Sequence, residues 1–257
     1  MASPARSSQA FLIRKTRYSE SDRVLSFFSR EFGRVSAFAK GAADSRRRFG
    51  TGLEPLVLLE AEFQIPPHGG LAFLKSARPL RAFPGLLQDV DRLNAAYRFL
   101  ELVEAMEPEQ HPAPTLFEAL LGGFLSLEGG MPPAQARLLY EGRLLHWAGL
   151  APRFDACLSC QRKAPFDPAF FEEALGGLVC GRCQPPGRRA PVSPGCQDLL
   201  RGLFSGSGLL QGPALEEADA VLEGFLQHQL GRELKTALFQ KKMVSASPNP
   251  LEGRARD

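Results

Sequence analysis

The sequence predicts an α+β protein in which an N-terminal β-barrel is followed by an all-α domain that contains a four-cysteine metal module. Three observations support this prediction. Residues 10–81 alternate apolar and polar side chains, later residues repeat apolar side chains with a helical period, and four cysteines form two C-x2-C pairs. A length of 257 residues and a hydrophobic content of 44% suit a globular protein with two domains.

The N-terminal domain is predicted to contain five short strands. They span residues 11–13, 24–28, 34–40, 59–65 and 71–77. The fourth is the clearest, because Leu59, Ala61 and Phe63 alternate with Glu60 and Glu62. Five strands joined by polar and glycine-rich loops are typical of a small closed barrel. The oligonucleotide-binding (OB) barrel is the commonest of these, and the strand spacing is also compatible with an SH3-like barrel.

After Phe83 the apolar period changes to 3.6 residues. Apolar stripes predict helices over residues 93–106, 117–127 and 136–147, and again over 194–204, 215–225 and 233–243. Ser193 and Pro194 form a cap and a first-turn proline for the fourth of these helices. Short loops favour antiparallel helices in a compact bundle.

Two cysteine pairs predict a metal site. Cys157 and Cys160 are separated by nineteen residues from Cys180 and Cys183. Four thiolates suit tetrahedral zinc, and a site without an open position is structural, so we expect one structural Zn2+. Redox pairs or two disulfides are the alternatives. We also expect Gly181 to permit a tight turn around the sulfurs.

These patterns divide the chain into six predicted segments. They are a disordered N-terminus (1–9), the OB-fold domain (10–81), the first part of the helical domain (82–152), the zinc module (153–190), the second part of the helical domain (191–243) and a disordered tail (244–257). The sequence contains no apolar run long enough for a signal peptide or a membrane span. Together with zinc thiolates, this favours a cytoplasmic protein without a membrane partner.

The net charge of +3 is unevenly distributed. Residues 1–81 contain 14 Lys and Arg against 7 Asp and Glu, whereas the remainder contains 17 against 21. A basic barrel domain suggests binding to phosphates, because cations neutralise a nucleic-acid backbone and an aromatic ring can stack a base. Each charge could instead be a solubilising surface residue. The predicted DNA-binding residues are Arg14, Lys15, Arg17, Arg23, Arg34, Phe38, Lys40, Arg46, Arg47 and Arg48.

Two local expectations accompany this set. The run Arg46 to Arg48 is expected in a mobile loop that begins at Gly41 and ends in Gly50-Thr51-Gly52. Of Phe27 and Phe28, one should face the core and the other should face outward, and the sequence does not decide which.

No catalytic motif is recognisable. A G-x-x-x-x-G-K-[ST] loop is absent, and the four histidines are scattered outside the motifs of metalloproteases and nucleobase deaminases. We therefore predict neither an enzyme nor a small-molecule substrate.

Two stretches carry a resemblance to a known family. Residues 16–23 (TRYSESDR) with 33–41 (GRVSAFAKG), and residues 141–152 (EGRLLHWAGLAP) followed by the cysteine pairs, resemble zinc-containing members of RecO, a family of bacterial recombination mediators and DNA repair proteins. The resemblance covers roughly residues 10–240. One departure is Glu54, which stands before Pro55 where the family would suggest glutamine.

The resemblance implies an OB barrel, a helical domain and an embedded zinc module. It also implies binding of single- and double-stranded DNA, annealing of complementary strands and, with RecR, loading of RecA onto DNA coated with single-stranded-DNA-binding protein (SSB). No ATPase is implied, and a nucleoid association during repair is expected. Some family members lack part of the cysteine set, so the metal is implied to stabilise the protein.

The residues are also compatible with two other classes of function. A zinc-stabilised OB-fold protein that binds RNA or takes part in transcription would share the barrel and the cysteines. A scaffolding protein would account for the helical half.

Overall fold

Five strands form a closed barrel in the structure, which is a computed structural model describing residues 4–49, 53–183, 191–206 and 212–246. The barrel elements are β1 (Arg6–Arg17), β2 (Arg23–Ser29), β3 (Gly33–Ala39), α1 (Arg46–Phe49), β4 (Val57–Gln64) and β5 (Ala72–Ala82). The order β1-β2-β3-β5-β4 closes by antiparallel pairing of β1 with β4, and β3 runs parallel to β5. This arrangement is OB-like, and the predicted barrel is confirmed.

The barrel interior follows the predicted alternation of β4. Ala61 and Phe63 are fully buried, whereas Glu60 and Glu62 are partly exposed. Phe27 points into the barrel, where its ring lies 5.3 Å from that of Phe63. Phe28 therefore points outward, as neighbouring residues of a strand must face opposite sides.

Strand β1 begins earlier than the sequence suggested. It pairs with β4 from Arg6, opposite Phe63, to Phe11, opposite Leu58. Residues 6–9 are thus in a strand and not in a disordered N-terminus, because closing the barrel requires β1 to pair with β4 as well as β2. At the other end, the last helix continues to Ala246 instead of ending at Met243. Of the expected disordered segments, residues 1–3 and 247–257 lie outside the described residues.

The second half is helical, as predicted. A 3-10 turn (Pro84–Leu87) leads into α2 (Val90–Met106), α3 (Pro114–Glu128), α4 (Pro133–Trp147), α5 (Pro194–Ser205), α6 (Ala214–Leu230) and α7 (Lys235–Ala246). Ser193 caps α5, since its Oγ accepts a hydrogen bond from the backbone N of Cys196 at 3.2 Å. Within the described ranges, no helix is both long and apolar enough to cross a membrane.

The outer face of the barrel shares a core with the helical domain, separate from the core inside the barrel. Phe28 on β2 and Phe11 on β1 contact Phe117 on α3, with ring centroids 5.8 and 5.4 Å apart, and Phe11 also meets Phe124 at 5.0 Å. All four rings are fully buried. Burial of such rings is worth about 2 kcal/mol each, so this junction fixes the barrel against the helices.

A buried ionic network holds α2, α4 and α6 together. Arg98 is 2% exposed and contacts the carboxylates of Glu141, which is fully buried, and Glu223, both at 2.5 Å. Burial raises the pKa of Glu141 although Arg98 opposes the shift. A second pair, Arg137 with Asp219, joins α4 to α6 nearby.

Candidate nucleic-acid interface and metal centre

The outer face of the barrel carries a row of three aromatic rings. Phe38 on β3 lies between Tyr18, in the β1–β2 turn, and Phe73 on β5, with ring centroids 5.4 and 6.1 Å away. Both contacts are edge-to-face. Tyr18 is 70% exposed and Phe73 is 50% exposed. We call these three residues the aromatic row, which crosses the strands and presents ring surface to solvent.

Two lysines follow one edge of the aromatic row. Lys40 comes two residues after Phe38, and Lys75 comes two residues after Phe73. Because Phe38 and Phe73 are register partners in a parallel pair, both lysines follow the row in the same chain direction, Lys75 within β5 and Lys40 in the turn after β3. Lys75 Nζ also lies 5.8 Å from the centroid of the Phe73 ring. The row therefore has a cationic edge, formed by Lys40 and Lys75.

Arg14 and Lys15 form exposed ion pairs. Arg14 Nε contacts Glu104 Oε1 at 2.7 Å, and Lys15 Nζ contacts Glu54 Oε1 at 2.8 Å. Lys15 also donates to the carbonyl of Leu53 at 3.0 Å. Exposed pairs of this kind contribute about 0–1 kcal/mol, so a phosphate can replace the glutamate at little cost.

Arg17 and Arg23 organise the β1–β2 turn. Arg23 Nη1 donates to the carbonyls of Asp22 at 2.8 Å and Ser19 at 3.1 Å, and Arg17 Nε donates to Ser19 O at 3.4 Å. These bonds order the turn that carries Tyr18. The two arginines therefore support the aromatic row through Tyr18.

Arg34 lies at the domain junction and not on the exposed row. It shares the outer face of β3 with Phe38, as the sequence indicated, but its Nη1 donates to the backbone carbonyl of Glu104 at 2.7 Å. Its Nε is buried and has no hydrogen-bond partner among the described residues. The helical domain covers this end of β3, which strand alternation could not reveal.

Arg46 to Arg48 belong to the short helix α1, so the expectation of a mobile loop is wrong for these residues. Phe49 anchors the helix, because its ring is buried in the barrel core. Arg48 packs its guanidinium 4.8 Å from that ring and donates to Ser45 Oγ at 3.0 Å. Arg47 is exposed, while the side chain of Arg46 and residues 50–52 lie outside the described part of the chain.

Three residues of this face were missed by sequence reasoning: Tyr18, Phe73 and Lys75. A signal for Phe73 existed, because Ala72 and Leu74 on either side of it point into the barrel and so direct it outward. The proximity of Phe73 to Phe38 had no such signal. It depends on the register between β3 and β5, which are distant in sequence.

The four paired cysteines come together in the C-terminal half. Cys180 ends β7 (Gly177–Cys180), which pairs with β6 (Ala169–Glu172). The four Sγ atoms all lie within 4.8 Å of one another, and those of Cys160 and Cys180 are 3.7 Å apart. A tetrahedron with Zn–S bonds of ~2.3 Å has edges of about 3.8 Å, so this set could hold a metal ion. A disulfide between Cys160 and Cys180 would need about 2.05 Å.

The surroundings of Cys157 and Cys180 favour thiolates, whereas hydrogen bonds with the sulfurs of Cys160 and Cys180 raise the pKa of the Cys183 thiol to about 12. The backbone N of Cys180 lies 3.4 Å from Cys157 Sγ. Burial alone would raise the pKa of the Cys157 thiol, but this N–H and that of Cys160 bring the pKa to about 6. By contrast, burial raises the pKa of the unpaired Cys196 to about 12.

Gly181 is needed for close packing and not for a left-handed turn. A Cβ at this position would lie 2.6 Å from Cγ of Pro168, and the N–H of Gly181 donates to Pro168 O at 2.9 Å. The expected tight turn is present, because the N–H of Cys183 donates to Cys180 O at 2.9 Å, but the φ of Gly181 lies outside the left-handed region. The glycine lets the second cysteine pair approach the strand before it.

Comparison with known proteins covers nearly the whole chain. The family model described as "Recombination protein O N terminal" matches residues 2–83, and "Recombination protein O C terminal" matches residues 87–237. The chain belongs to the RecO family. The two matches meet between β5 and α2, where the barrel joins the helical domain.

Several RecO relatives share about a third of their residues with the chain. "DNA repair protein RecO" of Anaeromyxobacter sp. (strain K) is 37% identical over 235 residues, covering 89% of this chain and 92% of the relative. The proteins of the same name from Pelobacter propionicus (36%; 91% and 96%) and Syntrophus aciditrophicus (32%; 89% and 92%) are also similar. Membership of the RecO family supports a role in DNA repair and confirms the resemblance seen in the sequence.

Proposed function

We propose that this RecO-family chain is a DNA-binding recombination mediator. It binds single- and double-stranded DNA, anneals complementary strands and, with RecR, helps to load RecA onto SSB-coated single strands. The observation that carries the proposal is the aromatic row with its cationic edge on an OB-like barrel.

The aromatic row suits a single strand because every base has a face that can stack on a ring. Stacking of this kind is worth about 1–3 kcal/mol per base and does not depend on sequence. Lys75 Nζ lies 5.8 Å from the centroid of the Phe73 ring, and Lys40 follows Phe38 by two residues, so both lysines could release counterions from the phosphates of a strand bound there. Affinity should therefore fall with salt.

Annealing follows from charge neutralisation. Two strands repel each other through their phosphates, and a cationic surface that neutralises one of them lowers this repulsion, so base pairing can nucleate. Arg14 extends the cationic surface along β1 once its glutamate partner is exchanged for a phosphate. No nucleotide hydrolysis is needed for these steps, and we propose that the chain is not an enzyme and acts on no small-molecule substrate.

The four cysteines fit one structural Zn2+. The ion would bind Cys157, Cys160, Cys180 and Cys183 and leave no position open for a reacting water, so it supplies folding energy and no catalysis. We further propose that the helical domain contacts the protein partners RecR and SSB. The protein would act in the cytoplasm, associated with the nucleoid during repair.

An annealing assay tests the proposal. Two complementary fluorescent oligonucleotides are mixed with the full chain, bare or coated with SSB, without ATP and at two salt concentrations. The proposal predicts acceleration on both substrates and a smaller effect at high salt. No acceleration would contradict it, and faster annealing of RNA than of DNA strands of the same sequence would favour an RNA-binding protein instead.

A further inference from the structure

The linker between α2 and α3 completes one edge of the barrel. Strand β3 pairs with β5 at Ala37 and Phe38, near its C-terminal end. Beside its N-terminal end lies the linker, where Glu109 pairs with Arg34 in parallel and the N–H of Gln110 donates to Arg34 O at 2.7 Å. A segment of the helical domain thus lies against the strand that carries Phe38.

The carboxylate of Glu109 is held on the outer face of β3. Ser36 Oγ donates to Glu109 Oε1 at 2.5 Å, and the amide of Gln110 donates to the carbonyl of Gly70 at 2.9 Å, which ties the linker to the β4–β5 loop. Ser36 lies two residues before Phe38 on the same face, about 7 Å away along the strand. Glu109 is exposed, so its carboxylate is accessible to a ligand that binds the aromatic row.

The two edges of the aromatic row therefore differ in charge: one carries two lysines, and the other carries the carboxylate of Glu109 beside Arg34 and Arg14, the latter level with Ser36 in the strand register. Lys40 and Lys75 follow it on one side, and Glu109 stands on the other. A single strand with its bases on the rings can place its phosphates on the lysine edge alone. A duplex carries phosphates on both sides of its bases, and one of its backbones must then approach Glu109.

We propose that Glu109 is a specificity-determining residue that favours single strands over duplexes at the aromatic row. This inference rests on the proposed function, because it presumes that nucleic acid binds there. At a separation of ~10 Å in water, one charge changes the affinity for one phosphate by about two-fold. Two phosphates of the second strand near Glu109 therefore give about a three-fold effect on duplex binding at low salt.

The test compares Glu109→Gln with the wild-type chain. A glutamine side-chain carbonyl still accepts the Ser36 hydrogen bond, so the substitution removes the charge and preserves the contact. Dissociation constants are measured by fluorescence anisotropy for a labelled single strand and for a duplex of the same length, at low and moderate salt. Glu216→Gln on α6, which removes one exposed negative charge far from the row, is the matched control.

We expect Glu109→Gln to tighten duplex binding about three-fold and to change single-strand binding by less than about 1.5-fold. Glu216→Gln should leave the ratio of the two constants unchanged, and Glu109→Asp should keep the wild-type ratio because it keeps the charge. An unchanged ratio in Glu109→Gln, or an equal change in the Glu216 control, overturns the inference.

Phe73→Ala separates this inference from the proposed function. If Phe73→Ala weakens single-strand binding while Glu109→Gln leaves the ratio unchanged, DNA does bind the aromatic row and the role of Glu109 is wrong. If Phe73→Ala leaves single-strand binding unchanged, the aromatic row is not the binding site, and both statements fail.

Discussion

The rings of Phe38 and Phe73 meet edge to face, 6.1 Å apart, across the parallel pairing of β3 with β5. This contact joins the third strand of the barrel to its last strand, and Lys40 and Lys75 each follow one of the two rings by two residues. The candidate DNA interface depends on it, since neither strand alone presents more than one ring and one lysine.

Charge reversal at Lys40 and Lys75 together should weaken binding to single-stranded DNA. We expect a loss on the order of ten-fold at low salt, and a slope of log affinity against log salt that is smaller by about one per lysine. Anisotropy titrations at several salt concentrations measure both quantities. Lys242→Glu, on exposed α7, is the control, and an equal loss in that variant would show a general charge effect and no local site.

Removal of one metal ligand should unfold the cysteine module. Cys160→Ser leaves three thiolates, and structural zinc sites of this kind contribute about 10–16 kcal/mol in isolated fingers. We expect one zinc per wild-type chain by atomic absorption, loss of zinc in the variant and a lower melting temperature. Cys196→Ala, outside the cluster, should keep its zinc. Retention of one zinc by Cys160→Ser would contradict the assignment.

Glu141→Gln should destabilise the helical domain, because the buried Arg98 then loses its fully buried carboxylate partner. Breaking a buried ion pair from one side costs about 3–5 kcal/mol, whereas replacing both partners by apolar residues costs less. In urea, the free energy of unfolding should therefore be highest for the wild type, intermediate for the double variant Arg98→Met/Glu141→Leu and lowest for Glu141→Gln. A cost no larger than that of Glu216→Gln would argue against a structural role for the pair.

Glu101 should make stability depend on pH in the acid range. Its carboxylate accepts hydrogen bonds from the backbone N of Lys235 and from N and Oγ of Thr236, at the start of α7. Although burial opposes the effect, these bonds hold the pKa of Glu101 below its usual value. The stabilisation is present above the unfolded-state pKa of about 4.3 and is lost as the pH falls through the lower, folded-state pKa.

Glu101→Gln should lose about 1 kcal/mol near neutral pH, the value of a typical helix cap. Denaturant unfolding of the two proteins between pH 7 and 3 measures the difference, which should shrink toward the acid end because the wild-type carboxylate becomes protonated. A difference that stays constant with pH would contradict this origin.

Local patterns in the sequence predicted much of the fold. The spacing of Cys157, Cys160, Cys180 and Cys183 predicted their convergence. Two C-x2-C pairs joined by a flexible spacer can approach each other without other long-range contacts. Alternation along β4 and the helical stripes likewise predicted which faces are buried, since each pattern is set within a few neighbouring residues.

Contacts between distant segments were not predictable in this way. Arg34 is on the face that alternation assigned to it, but the α2–α3 linker, some seventy residues later, covers that end of β3. Arg46 to Arg48 form a helical turn because Phe49 enters the barrel core. The run of three arginines gives no indication of this buried anchor. Tyr18 and Phe73 were missed because they become a site only when the barrel closes around Phe38.

Photocrosslinking is the most direct test of the central claim that single-stranded DNA lies on the aromatic row. A single strand containing 5-iododeoxyuridine is irradiated with the full chain, and the modified residues are identified by mass spectrometry. Bases stacked on rings crosslink efficiently, so we predict adducts at Tyr18, Phe38 and Phe73. Adducts confined to the helical domain, with none at these residues, would contradict the account.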